Sequence, residues 1–301
     1  MKSILYSALV ASITLGFASC SGYNEVLKGD DYEKKIQMAD ELYQAGVTPK
    51  IKYRKSEKAI EEKGPIRKQK FRTGPLQRSI ALYEQIYQRM PKGAEGELSY
   101  FRIGKAYYYS NDFYMAGYYL AQFPQRFPFS SKGEEASFLS AMCSVNNSPA
   151  PSLDQTDTEL AIKDLQTFID QYPQSDLVDS CNILIDKLRF KLERKDYESV
   201  LLYAKTENYN AAVTSAETFI EDFPISRYKE EVLEIAVVNS YLLAKNSVDT
   251  KKEERISNTI ERYNNFVSQF PESKELNRFG KMIEELKDMR EELMAKKSNK
   301  N

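Results

Sequence analysis

One pattern recurs four times and limits what this chain can become: Phe-x3-(Phe/Tyr)-Pro-x-Ser. Its heads are Phe123, Phe168, Phe219 and Phe266, its prolines Pro128, Pro173, Pro224 and Pro271, and its closing serines Ser130, Ser175, Ser226 and Ser273. A weaker copy surrounds Pro91, with Ile86 and Met90 in the apolar places. Apolar residues four apart share a helix face. Proline cannot donate into a continuing helix and so marks its end. Serine is a favoured N-cap, contributing about 1 kcal/mol. The unit reads as a helix, a sharp corner and a second helix capped by the serine. A lone helix pair cannot bury its apolar stripe, but stacked pairs can, and each buried Phe contributes about 1.5–3 kcal/mol. The prolines lie 37, 45, 51 and 47 residues apart, within or near the range of helical repeats.

The second copy shows which repeat this is. Tyr100, Ile103, Gly104, Tyr107, Ala116, Leu120 and Pro128 fall at the spacing of the tetratricopeptide (TPR) pattern W-x2-L-G-x2-Y…A-x3-F…P. Later copies keep Ala161, Ala212 or Thr259 at the small position. The expected fold is all-α, a TPR-like solenoid of helical hairpins with about five repeats. N-terminal repeats span 31–130, C-terminal repeats 131–295, and a frayed polar tail 296–301. Asp31 to Ala45 and Leu76 to Met90 read as the first helix pair. Between them lies an insertion, residues 46–75. Its Lys50–Arg72 stretch holds ten Lys/Arg and three Glu, net +7, against −8 for the rest of the chain. Such a run reads first as a solvated loop and second as a contact for anionic lipid or an acidic partner. Ser148–Thr158 reads as a loop, and Leu177 to about Tyr203 as a long helix.

Composition removes whole classes of chemistry. His is absent, which eliminates the commonest general base and zinc ligand and every Ser-His or Cys-His nucleophile. No P-loop, GxGxxG, GxSxG or Cys-x2-Cys motif occurs. The chain reads as a non-enzyme with no cofactor, no metal and no catalytic residues. A net charge of −1 gives no basic field for nucleic acid. Cys143 and Cys181 sit about seven residues out of step on neighbouring helices, roughly 10 Å along the axis, so free thiols are favoured over a disulfide.

Tyrosine is the one conspicuous surplus, 21 in all, seven of them within residues 100–119. Tyrosine joins a large apolar ring to a polar tip and favours protein interfaces. Positions one step along from the repeat core place Phe101, Lys105 and Tyr108 on the groove side of the second repeat. They are the candidate client-binding residues; the competing reading packs the extra tyrosines between repeats.

The first twenty residues read as an address. Lys2 precedes an apolar run from Ile4 to about Phe17, too short for a comfortable span and suited to a signal peptide (residues 1–19). Phe17-Ala18-Ser19-Cys20 resembles a bacterial lipobox, making Cys20 the candidate lipidation site and residues 20–30 a lipidated linker. Each buried acyl CH₂ contributes ~0.8 kcal/mol, so two or three chains anchor stably.

With this address and these repeats, the chain resembles the BamD (YfiO) family of outer-membrane assembly lipoproteins over about residues 25–275. The most particular stretches are Tyr107–Phe129, Ser152-Leu153-Asp154-Gln155 with Asp157-Thr158, and Ala211–Pro224, which look like the Bacteroidetes branch. The resemblance implies a periplasm-facing scaffold, lipid-anchored in the outer membrane. Its N-terminal repeats would recognise unfolded outer-membrane proteins and its C-terminal repeats would dock on the POTRA region of a BamA-like barrel protein. Proteobacterial members contact BamA through an Arg whose equivalent here falls near Ser215, so no partner-binding residues carry over. The basic insertion departs from the family pattern. Alternatives are another periplasmic TPR adaptor or a SusD-type glycan-binding lipoprotein, the latter disfavoured by the absence of Trp. The address predicts that Cys20→Ala yields an exported, unacylated protein. Metabolic labelling with a fatty acid checks this, and continued labelling of the variant would contradict it.

Overall fold

A computed structural model describes residues 22–53 and 66–298. Residues 1–21, which include the expected signal peptide and Cys20, lie outside the described residues, as do residues 54–65 of the insertion and the final three of the tail. The chain forms two compact units. One runs through Pro149 and adds Gln155–Ile185; the other combines Ala150–Asp154 with the chain from Asp186 onward.

In the first unit, residues 22–28 are helical and lead to α1 (Tyr32–Val47), capped by the Asp31 side chain accepting from the Lys34 N–H. A two-stranded antiparallel ribbon follows, β1 (Lys50–Tyr53) and β2 (Ile66–Lys70). Then come α2 (Thr73–Arg89), α3 (Ala94–Tyr109), α4 (Phe113–Arg126), α5 (Gly133–Asn147) and α6 (Thr156–Gln171). Each helix from α1 to α5 packs on the next, and α3 also touches α1 and α5. Helix α7 (Val178–Lys205) starts in this unit and continues into the other. The second unit adds α8 (Tyr209–Asp222), α9 (Lys229–Lys245), α10 (Asp249–Gln269) and α11 (Leu276–Ser298). There α8 packs on α9, α9 on α10, and α11 on both α9 and α10. The helical-hairpin, TPR-like reading holds. The insertion is not wholly a loop, because its ends pair as strands. The tail is not frayed from Lys296, because α11 continues to Ser298.

The repeated corner has one geometry. Phe127, Tyr172, Phe223 and Phe270 each close a helix at φ near −130° and ψ of 63–68°. A following proline bars the helical conformation from the residue before it. Each of the four donates its N–H to the carbonyl of the Phe four residues back, at 2.8–2.9 Å. Their rings meet those same Phe rings at 5.2–5.5 Å. Phe123, Phe168, Phe219 and Phe266 are at most 1 % exposed. The serine differs from its expected role. It does not cap the next helix directly; its carbonyl accepts from the N–H three residues on, and its Oγ accepts from the N–H two residues on. It therefore caps a single tight turn that feeds the helix. Two of these serines are also tied to the helix that precedes their hairpin: Ser130 Oγ donates to Glu97 at 2.8 Å, and Ser226 Oγ donates to Glu193 at 2.5 Å.

Small residues do what the TPR spacing requires. A Cβ on Gly104 would lie 2.8 Å from Leu120 Cγ, so only glycine allows α3 and α4 this close. Ala116, Ala161, Ala212 and Thr259 are fully buried. Cys143 and Cys181 are free and buried, and burial pushes the Cys143 thiol up to about 12. Phe168→Ala and Phe219→Ala should each destabilise the protein by about 3–5 kcal/mol by opening a core cavity. Denaturant melts check this, and parent-like midpoints for both would refute the corner's role.

Candidate functional site

The tyrosine-rich stretch occupies α3 and α4. Much of the surplus is interior. Tyr87 meets Tyr100 at 4.9 Å, Tyr100 meets Tyr119 at 5.1 Å, and Tyr107 stacks on Tyr119 at 5.8 Å. Tyr119 donates to Glu84 at 3.2 Å, and the Arg126 guanidinium lies 5.0 Å over the Tyr100 ring. Packing between hairpins thus accounts for Tyr100, Tyr107 and Tyr119. Tyr114 and Tyr118, four apart on α4, stand in solvent at 81 % and 54 % exposure.

Phe101, Lys105 and Tyr108 come together along α3, at different depths. Phe101 is buried, its ring 5.2 Å from Phe123. Lys105 lies over that ring, with Nζ 5.2 Å from its centroid, and pairs with Glu135 of α5 at 2.5 Å. Tyr108 is half-buried, edge-on to Phe113 at 5.6 Å, and burial raises its phenol above the ordinary range. The three make a layered patch with an apolar floor, a cation already holding a carboxylate, and a ring at the rim.

Sequence reasoning missed the ion pairs between neighbouring first helices. Arg102 of α3 binds Asp40 of α1 and Tyr83 Oη, and sits 5.3 Å over the Tyr43 ring. Tyr83 also donates to Asp40 at 2.8 Å. With Lys105–Glu135, these contacts link α1, α3 and α5. The second unit uses the same device, with Lys245 of α9 donating to Glu285 of α11 at 2.7 Å. Partners 30 to 62 residues apart leave no mark in a single repeat.

The second unit also carries a groove among α8, α9 and α10. A polar cavity of about 260 Å³ is lined by Asn210, Thr214, Ser240, Arg255 and Asn258, among others. An apolar cavity of about 210 Å³ adjoins it, with Ile220, Leu233 and Ala236. Glu217 and Arg262 line both, and Arg262 Nε and Nη2 donate to Glu217 at 2.9 and 2.5 Å. Ser240 Oγ is buried at this groove with no partner among the described residues. Ser215 lies on α8 between Thr214 and Glu217. Among the described residues no helix is long and apolar enough to cross a membrane, and no His, Cys, Asp and Glu cluster could hold a metal ion.

Stacked hairpins tied by ion pairs, with a layered aromatic patch and a mixed groove, define a TPR-like helical-repeat protein. Over residues 65–254 and again over 203–299 the sequence matches the family described as YfiO, outer membrane lipoprotein. The chain belongs to that family, which is the BamD family. No curated protein matched it.

Proposed function

We propose that the chain is a non-enzymatic scaffold of the outer-membrane β-barrel assembly machinery, anchored through Cys20 and facing the periplasm. It receives unfolded outer-membrane proteins at the α3 patch and docks on the POTRA region of a BamA-like barrel protein. Family membership supports the setting, and the layered patch of Phe101, Lys105 and Tyr108 is the observation that carries the client role. A barrel protein ends in a strand of alternating apolar residues, and its open edge needs cover before insertion. Tyr108 offers that strand a ring. Lys105 offers its terminal carboxylate a cation, in exchange for Glu135. Phe101 forms the floor beneath both. For the POTRA contact, the α8–α10 groove offers an apolar cavity, the Arg262–Glu217 pair and the unpartnered Ser240 hydroxyl.

The depth of each residue selects the variants. Phe101→Ala would open the core at a cost of about 3–5 kcal/mol and confound binding. Tyr108→Ala should weaken a peptide copying a barrel C-terminus by about 1–2 kcal/mol, roughly five- to thirtyfold. Glu135→Gln releases Lys105 and should tighten the free-carboxylate peptide but not its amidated form. Calorimetric titration reads both. Unchanged affinity in Tyr108→Ala, or equal effects of Glu135→Gln on the two peptides, would place the client elsewhere.

A further inference from the structure

The basic insertion is rooted firmly in the first unit. The Arg72 N–H donates to the Gly46 carbonyl at 3.1 Å, closing the base of the ribbon. The Phe71 ring packs on Tyr109 at 4.6 Å. A Cβ on Gly46 would lie 2.5 Å from Leu76 Cγ, so the end of α1 and the start of α2 are in close contact beneath the ribbon. Its register sets Lys50 opposite Lys70 and Lys52 opposite Lys68. Like charges facing across a ladder destabilise it. Lys50, Lys52, Lys70 and Arg72 are all exposed, and no described carboxylate pairs with them. Four exposed cations held together, with no ion pair among the described residues, are suited to an anionic surface.

The N-terminal segment indicates which surface. Tyr23 donates to the Arg78 carbonyl at 3.2 Å, and the Arg78 guanidinium lies 5.7 Å over its ring. At the other end of the segment, the buried Lys35 ammonium donates to the Leu27 carbonyl at 3.1 Å and to Gln85. Arg78 is early in α2 and Gln85 late, so residues 22–28 run parallel to α2. The Gly22 end therefore points toward Thr73, where β2 enters α2. Cys20 precedes Gly22 by two residues, at most about 7 Å of chain. The start of residues 22–28 and the root of the ribbon therefore lie toward the same end of α2.

We propose that the ribbon is a membrane contact: Lys50, Lys52, Lys70 and Arg72 rest on anionic phospholipid headgroups beside the Cys20 acyl chains. This rests on the reading of Cys20 as the anchor. An acyl group fixes only a point. A second, charged contact beside it fixes how the first unit stands on the bilayer.

The full mature chain with Cys20→Ser removes any acyl contribution and tests the ribbon alone. It should sediment with vesicles of phosphatidylglycerol and phosphatidylcholine in equal parts, and not with phosphatidylcholine alone. Each cation near such a surface is worth roughly fivefold in partitioning, so Lys50→Glu with Lys52→Glu and Lys70→Glu should weaken binding by about a hundredfold or more. Far-ultraviolet circular dichroism confirms that the triple variant is folded, and rising salt should weaken the parent's binding. Equal binding to both vesicle types, parent-like binding by a folded triple variant, or no binding by the parent would overturn the proposal. Charge-dependent capture by polyglutamate without vesicle binding would overturn it in favour of an acidic polypeptide. The readout requires no acylation and no client, so its failure is distinguishable from failure of the anchor or of the α3 patch.

Discussion

The buried phenylalanine four residues before each corner aromatic holds this architecture together. Its ring packs on the aromatic that closes the helix, and its carbonyl receives that residue's N–H. Proline then prevents the helix from continuing, and the serine turns the chain into the next helix. The ring also joins the core of the hairpin that follows. Phe219 packs with Val200, Ala216, Val232 and Ala236, so one side chain serves α7, α8 and α9 together. Hairpins built in this way are incomplete alone, which is the physical reason for stacking them.

What the corners leave to be settled is how neighbouring hairpins align, and polar contacts do much of this. Glu97 accepts from Ser130 and from Lys132, and the Lys132 ammonium together with the Ser130 hydroxyl holds its carboxyl below the usual range. Asp40–Arg102 and Lys105–Glu135 join first helices side by side. Such half-exposed pairs add little stability individually. Lys105 is a structural cation through its pair with Glu135, and in the proposed client role it would exchange that partner for a bound carboxylate.

The corners were legible in the sequence because each is local: eight residues contain the apolar pair, the proline and the serine. The TPR-like spacing of Gly104, Ala116 and Leu120 was legible for the same reason, and the structure shows the close approach it implies. The serine's position was misjudged because composition favours Ser as a helix cap without distinguishing a turn from the helix it feeds. The ribbon was missed because Lys-rich strands lack the β-branched, alternating pattern that signals a strand. Phe101 was placed in a groove on a one-residue register, while the structure buries it against Phe123. The Arg102 network depends on contacts across hairpins, and no periodicity within a hairpin reports those.

The central claim is that this outer membrane lipoprotein acts by holding a barrel-assembly partner. A tagged chain recovered from detergent-solubilised membranes under mild salt tests it most directly, with the co-purifying proteins identified by mass spectrometry. The account predicts stoichiometric recovery of a protein that combines POTRA domains with a membrane barrel, reduced by Arg262→Glu in the α8–α10 groove. Recovery of a TonB-dependent transporter with no POTRA-barrel protein would contradict it.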